Sequence, residues 1–430
     1  MTVAMADNFT ISREQFKEFL HWLIVIQDPR DLWRNHATFL CIEVVVIICF
    51  ILTYKHATRH GGRFLSLWWT VVMSGLIIES ISYLVPQIDN FWHSQATVMF
   101  LGHRLPLLIV CVYPVLLYTS AAAVSRLWLP FWAEPFAVGL TVLAIDVPWD
   151  INGVNFVWWT WHDTDPNIYD RHYWVPWSSF YFLAALGCTL TFLLHGFRWL
   201  LTGNDKYSSG GFFKEALASI LTAILIMPVA SIQFVPLYHL LKDELKIHSE
   251  VCVFLFLSMY LMIFWLGDRD PSIEARPKKG RCHHYDELIV LLGLWYITHF
   301  AVAIFGHPES VVATGLREPI GPCDQYLDVF TPMGQVLQKR KYLCLEDYDE
   351  GYYDFHCVPK HEMAKLRIGS NIYWYTVCGV QFSNYAEYVT VIGGYCVLGI
   401  FVFYQYLLRS GSHLSLSKMA KKVAIKSKTN

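Results

Sequence analysis

The sequence predicts an all-α polytopic membrane bundle of about nine transmembrane helices, with a cysteine-containing connector before the last one. Three observations carry this. Of the 430 residues, 55% are hydrophobic and only 16% are charged, whereas a soluble domain carries about 25% charge. Nine mostly apolar runs each have the length a bilayer demands, about 17–25 residues. Lys and Arg are distributed unevenly over the loops between those runs, as the positive-inside rule expects.

The chain divides in order. Residues 1–36 form an N-terminal segment, within which Ser12 to Gln27 is short and amphipathic and reads as an interfacial helix. No small-residue cleavage site follows an apolar core there, so the first span is expected to direct insertion. Eight runs make the core, 37–306, at about 37–55, 64–86, 100–124, 131–149, 177–201, 214–239, 250–267 and 287–306. The fourth is the weakest, with Glu134, Pro135 and Pro148 in it; membrane helices tolerate proline where neighbours satisfy the freed backbone. A connector, 307–386, leads to the last span at 387–408 and a basic tail, 409–430.

One set of short loops holds twelve Lys and Arg, from Lys55 to Arg281, and the opposite set holds Arg171, Lys242 and Lys246. The first set is therefore expected to be cytosolic, the N-terminus lumenal and the C-terminus cytosolic. Three features agree. The sequon at Asn8 falls on the lumenal side. The connector, also lumenal, carries Cys323, Cys344, Cys357 and Cys378, enough for two disulfides in an oxidising compartment. The tail ends with Lys426 and Lys428, three and five from the end, the spacing of a dilysine retrieval signal for the endoplasmic reticulum; an ordinary basic juxtamembrane tail is the plainer alternative.

Ionisable residues inside spans are expensive and mark functional sites by default. Placed by depth, Glu43, Glu79, His103, Arg104, Asp146, Asp150 and His299 converge on the lumenal leaflet. Asp146 and Asp150 stand at i and i+4 and share a helix face. Two carboxylates so close in an apolar setting resist both being charged, and a neutral carboxylic acid is a proton donor. Glu79 is a partner for them and Arg104 a counter-ion; a buried ion pair holding helices in register is the structural alternative.

The stretch 144–180 caps this set. Trp149, Trp158, Trp159, Trp161, Trp174 and Trp177 suit an interfacial belt, and a subset, with His162 and Tyr173, suits the lining of an apolar substrate pocket or a π-face for a cation. The spacing of His162, Asp163, Asp165 and His172 matches no metal motif. His56 and His60, with His283 and His284, resemble two boxes of a di-iron hydroxylase, but a third cluster is missing. No metal and no cofactor is assigned. A GxSxG elbow, a P-loop and a dinucleotide fingerprint are absent, and no basic stripe interleaved with aromatics points to nucleic acid.

Glu79, Asp146-Val147-Pro148, Trp159-Thr160-Trp161, Tyr173-Trp174-Val175-Pro176 and Ser179-Phe180 resemble the pattern of the carotenoid biosynthesis membrane proteins that include the carotenoid hydratases. The chain also resembles animal multi-pass membrane proteins without assigned function. The first resemblance covers roughly 110 residues; the proline is displaced by one, Ser179 stands where that family has Asn, and the Gly-rich stretch after the glutamate is missing. It implies hydratase- or isomerase-type chemistry on an isoprenoid, with Glu79, Asp146 and Asp150 as acid and base and the tryptophans facing a carbocation. Arg104, Trp159, Trp161, His162, Tyr173 and His299 are then the expected substrate-binding residues. Two other functions fit the residues: a carrier or receptor for a small apolar or lipid ligand, and a non-catalytic scaffold whose connector meets a partner.

Overall fold

The computed structural model describes residues 12–85, 90–161, 165–203, 209–269, 286–317, 319–331, 334–344, 350–358, 364–366 and 373–409. Asn8, His162 and residues 410–430, Lys426 and Lys428 among them, lie outside these residues. At the start, helix α1 (Arg13–Leu23) buries no residue, and Ser12 and Gln15 cap it reciprocally. Phe16, Phe19 and Trp22 are exposed along it, as an interfacial helix requires. Strand β1 (Ile24–Ile26) follows, and then α2 (Pro29–Asn35), with Asp28 as N-cap and Pro29 in the first turn.

Nine helices among the described residues are long and apolar enough to cross a membrane: α3 (Ala37–His60), α4 (Gly62–Leu84), α5 (Leu107–Leu127), α6 (Glu134–Asn155), α7 (Trp177–Thr202), α8 (Phe212–Glu244), α9 (Ser249–Asp268), α10 (Glu287–Phe305) and α11 (Tyr385–Leu408). A helical bundle with nine helices of spanning length among the described residues is as expected. The third span is a correction: it starts at Leu107, not near position 100. Residues before it instead form β2 (Phe91–His93), β3 (Val98–Phe100) and β4 (Leu105–Pro106). Gly102, with φ of 67°, sits in the β3–β4 turn, and Pro106 delays the helix because it constrains the residue before it. His103 and Arg104 are thus turn residues rather than helix residues.

The weakest run in the sequence, α6, has the lowest mean hydropathy of the nine, 1.2, yet is among the most enclosed. Its surroundings are protein, not lipid, so polar side chains can be matched by neighbours. Gly139 on α6 and Gly187 on α7 allow this enclosure. A Cβ on Gly139 would lie 2.5 Å from the Ala184 carbonyl oxygen, and one on Gly187 would lie 2.7 Å from Val142. Small residues at such crossings let membrane helices approach closely.

The connector departs from an all-helical chain. After α6 come β5 (Trp159–Trp161), β6 (Arg171–His172) and β7 (Val175–Pro176). After α10 come β8 (Val312–Arg317), β9 (Tyr326–Phe330), β10 (Val336–Arg340), β11 (Tyr353–Asp354), β12 (Ala364–Leu366) and β13 (Tyr373–Gly379). β13 pairs antiparallel with β8, β11 and β12, and β9 with β10. Disulfides Cys323–Cys344 and Cys357–Cys378 close loops around these strands. The small cap is tied to the loops of the bundle: the Gln95 backbone N–H donates to the Thr314 carbonyl at 2.8 Å, and Arg171 pairs with Glu350 at 2.5 Å.

Candidate functional site

The β2–β5 ladder sets Phe91 opposite Trp161 and His93 opposite Trp159. Phe91 and His93 share one strand face, because strand side chains alternate. That face closes a cavity of about 160 Å³ between α4, α5, α6 and α7. Glu79 reaches it from α4, Tyr113 from α5, and Asp146, Trp149 and Asp150 from α6; Trp159 and Trp161 form its wall and Ser179 of α7 its edge. Gly153 lets the wall approach: a Cβ there would fall 2.0 Å from the Trp159 ring.

The three carboxylates are held differently. Glu79 accepts a 2.8 Å hydrogen bond from Tyr113 Oη, and His93 Nε2 lies 3.9 Å from it. Asp150 accepts 2.8 Å from Ser179 Oγ. Asp146 is 1% exposed, and neither of its oxygens has a hydrogen-bond partner. Both nitrogens of His93 and the Trp161 indole N–H are likewise buried without one. An unsatisfied buried polar group costs about 1–3 kcal/mol, and such groups ordinarily find a partner. Several facing one cavity leave room for a ligand to supply the missing donors and acceptors.

Beside this chamber lies a larger, mostly apolar cavity of about 350 Å³, within the range of small-molecule sites. The two share Ser82, Phe91, Trp161, Ser179 and Phe182. Phe234 of α8 and Val329 and Phe330 of β9 line its far side. His239 lines it too, with Nδ1 2.5 Å from Asp243. A third, small cavity shares Glu79 and His93 with the chamber and carries Arg104, whose guanidinium lies 4.0 Å from the Trp92 ring centroid.

The expected residues therefore divide. Glu79, Asp146, Asp150, Trp159 and Trp161 meet in one chamber. Arg104 does not line it and stands across Glu79 against Trp92 and Tyr83. His299 does not line it either: Asn152 bonds its Nδ1 at 3.1 Å, and Trp149, Trp158 and Trp295 surround its ring. Tyr173 faces outward, donating 2.6 Å to Glu387. Tyr173 and Trp174, both at positive φ, make the two-residue turn between β6 and β7. Glu43 also lies elsewhere, bonded to Thr97. His93 and Tyr113 were not singled out in the sequence. The signal for His93 was its alternation with Phe91 beside a span; Tyr113 carried none.

Histidines weighed as metal ligands have other roles. His56 Nδ1 bonds Tyr118 Oη at 2.6 Å and His172 Nε2 bonds Tyr395 Oη at 3.0 Å. Burial pushes the His172 imidazole below its ordinary pKa, against the pull of Glu250. His283 and His284 lie outside the described residues. Among the described residues Asp354, His356 and Cys378 come within metal-ligand spacing; Cys378 is bonded to Cys357 and has no thiolate to offer.

The chain belongs to the family described as a domain of unknown function (DUF7802), whose sequence model matches residues 9–408. No curated protein and no solved structure matches it.

Proposed function

We propose that this member of the DUF7802 family is an integral membrane enzyme acting on a lipid-like or isoprenoid substrate by carboxylate acid–base chemistry. Its support is one observation: Asp146, buried and without a hydrogen-bond partner, faces a chamber shared with Glu79, Asp150, His93 and Tyr113. The adjoining apolar cavity suits the body of an amphiphile. Of the residues that carry the carotenoid hydratase resemblance, Glu79, Asp146, Trp159, Trp161 and Ser179 line the chamber, which favours hydration or isomerisation of a double bond.

In a hydration, Asp146 as the neutral acid donates its proton to one alkene carbon. The neighbouring carbon becomes cationic against Trp149 and Trp159. Water adds there and gives a proton to Asp150 or Glu79, and proton exchange among the carboxyls restores the starting state. General acid–base catalysis of this kind contributes about 10²–10⁴-fold. The charge bias of the loops favours a chamber in the lumenal leaflet, with the N-terminus lumenal and the C-terminus cytosolic; the Lys426/Lys428 spacing favours the endoplasmic reticulum.

The test begins with mass spectrometry of the lipids that co-purify with the protein, followed by turnover of those identified. Asp146→Asn and Glu79→Gln are expected to abolish turnover while the protein still inserts and folds. Full activity in both removes the reading. Transport of an unchanged ligand into reconstituted vesicles selects a carrier instead.

A further inference from the structure

We propose that the ligand of this chamber carries a positive charge on an apolar body, and that a long-chain amine is the class it takes. This rests on the reading of the chamber as a ligand site and adds the charge of the occupant.

Among the described residues, Glu79, Asp146 and Asp150 enter one cavity whose lining holds no Lys or Arg, and the lining of the adjoining larger cavity holds none either; Arg104 lines only the small third cavity, which shares Glu79. Among the described residues, His93, at the Glu79 end, is the one basic side chain lining the chamber, and His239, already bonded to Asp243, the one lining the larger cavity. At the other end Asp150 accepts from Ser179 and Asp146 accepts from no group. Removing a carboxylate from water costs several kcal/mol per ion, which a well-placed opposite charge offsets.

The walls add a second argument. Trp149 and Trp159 stand 5.4 Å apart, centroid to centroid, at the carboxylate end, and Phe91 and Trp161 stand 5.5 Å apart across the ladder. Aromatic faces attract a cation by about 0.5–2 kcal/mol each, most strongly where water is excluded. Carboxylates within an aromatic enclosure favour an ammonium over a hydroxyl and disfavour an anion. His93 supplies the independent sign of a ligand: its side chain is 9% exposed and neither ring nitrogen has a hydrogen-bond partner.

The size relation completes the picture. The chamber, about 160 Å³, suits a small head, and the larger cavity, about 350 Å³, suits a chain. They meet at Phe91, Trp161 and Phe182. An ammonium donates up to three hydrogen bonds, which suits the two open oxygens of Asp146. A quaternary ammonium has none to give.

The full chain, affinity-captured in a neutral detergent, is incubated with radiolabelled hexadecylamine, hexadecyltrimethylammonium, hexadecanol or hexadecanoate, and retention per chain is counted. Hexadecylamine is expected to be retained about tenfold better than hexadecanol, in line with one to two kcal/mol of cation attraction, and hexadecanoate least. Asp146→Asn is expected to erase the preference of amine over alcohol. Asp150→Asn is expected to weaken it and serves if Asp146→Asn does not fold. Retention of the quaternary cation equal to the amine assigns recognition to the rings, and weaker retention assigns it to Asp146; both uphold a cation site. Equal retention of amine and alcohol, preference for hexadecanoate, or no retention at all overturns the proposal. Mass spectrometry of the recovered amine then separates its roles: an altered amine is a substrate, an unaltered one a ligand held without chemistry. Retention needs no turnover, so an inactive but amine-selective chain removes the enzymatic reading and leaves this one standing.

Discussion

Ser179 donates a 2.8 Å hydrogen bond to Asp150, while Asp146, one turn earlier on the same helix, receives none. The two aspartates share a face and a cavity but not a role in stability. Replacing an unsatisfied buried polar group with an apolar one of similar size recovers its penalty of about 1–3 kcal/mol. Asp146→Leu should therefore unfold at the same temperature as the native chain or higher. Asp150→Leu, which strands the Ser179 hydroxyl, should unfold lower by about 1 kcal/mol. Thermal unfolding in detergent compares them, and equal destabilisation by both contradicts the assignment.

Gly153 has a similar diagnostic value. Its missing side chain admits the Trp159 ring. Gly153→Ala should displace that wall and cut ligand binding or turnover by about tenfold or more, as small misplacements near a reacting centre do. Alanine favours the helix over glycine by about 1 kcal/mol, so expression should hold. Unaltered binding would mean that Trp159 does not shape the chamber.

His299 belongs to a packing network. Tyr388 Oη donates 2.6 Å to Asn152 Oδ1, and Asn152 in turn bonds both the ring and the carbonyl of His299. Tyr388→Phe should cost about 1–2 kcal/mol by breaking a buried bond between α11 and α6, with ligand affinity unchanged in the folded fraction. A large loss of affinity at full stability would return His299 to the site.

The two disulfides each span a sequence separation of 21 residues, and cross-links of that loop size contribute about 3 kcal/mol. Peptide mapping without reduction should recover 323 with 344 and 357 with 378. Since the 323–344 link frames the β9–β10 hairpin that lines the larger cavity, Cys323→Ser with Cys344→Ser should speed ligand release. Free thiols at all four positions would refute the pairing.

Asp170 offers a pH test outside the spans. Burial favours its protonated form, but the Ser249 hydroxyl and Lys242, 3.1 Å away, outweigh this and lower its pKa below the ordinary value. The stability it adds is complete above the unfolded pKa, about 3.9, and is lost as pH falls through the lower folded value. Asp170→Asn should thus unfold below the native chain at neutral pH, by about 1 kcal/mol for a partly covered pair. The difference should vanish in acid, where a persistent gap contradicts the ion pair.

Much was legible before any fold was known, for a physical reason. Span length, apolarity and the i, i+4 relation of Asp146 and Asp150 are local properties, and the membrane penalises departures from them heavily. Depth along a span was legible too, which is why Glu79 and the two aspartates were grouped. The face each helix presents was not. His299 sits near the same end as the carboxylates, yet its helix turns it toward Asn152, and Arg104, in the β3–β4 turn rather than on a helix, stacks on Trp92. The pairing of four cysteines, three ways on paper, was decided by strand register around β13. His93 entered the chamber only through its ladder with Trp159, some 66 positions away. The sequence alone determined a bundle with costly acids at one depth. The tertiary structure decided which acids share a cavity and which one lacks a partner, since only packing sets what each side chain meets.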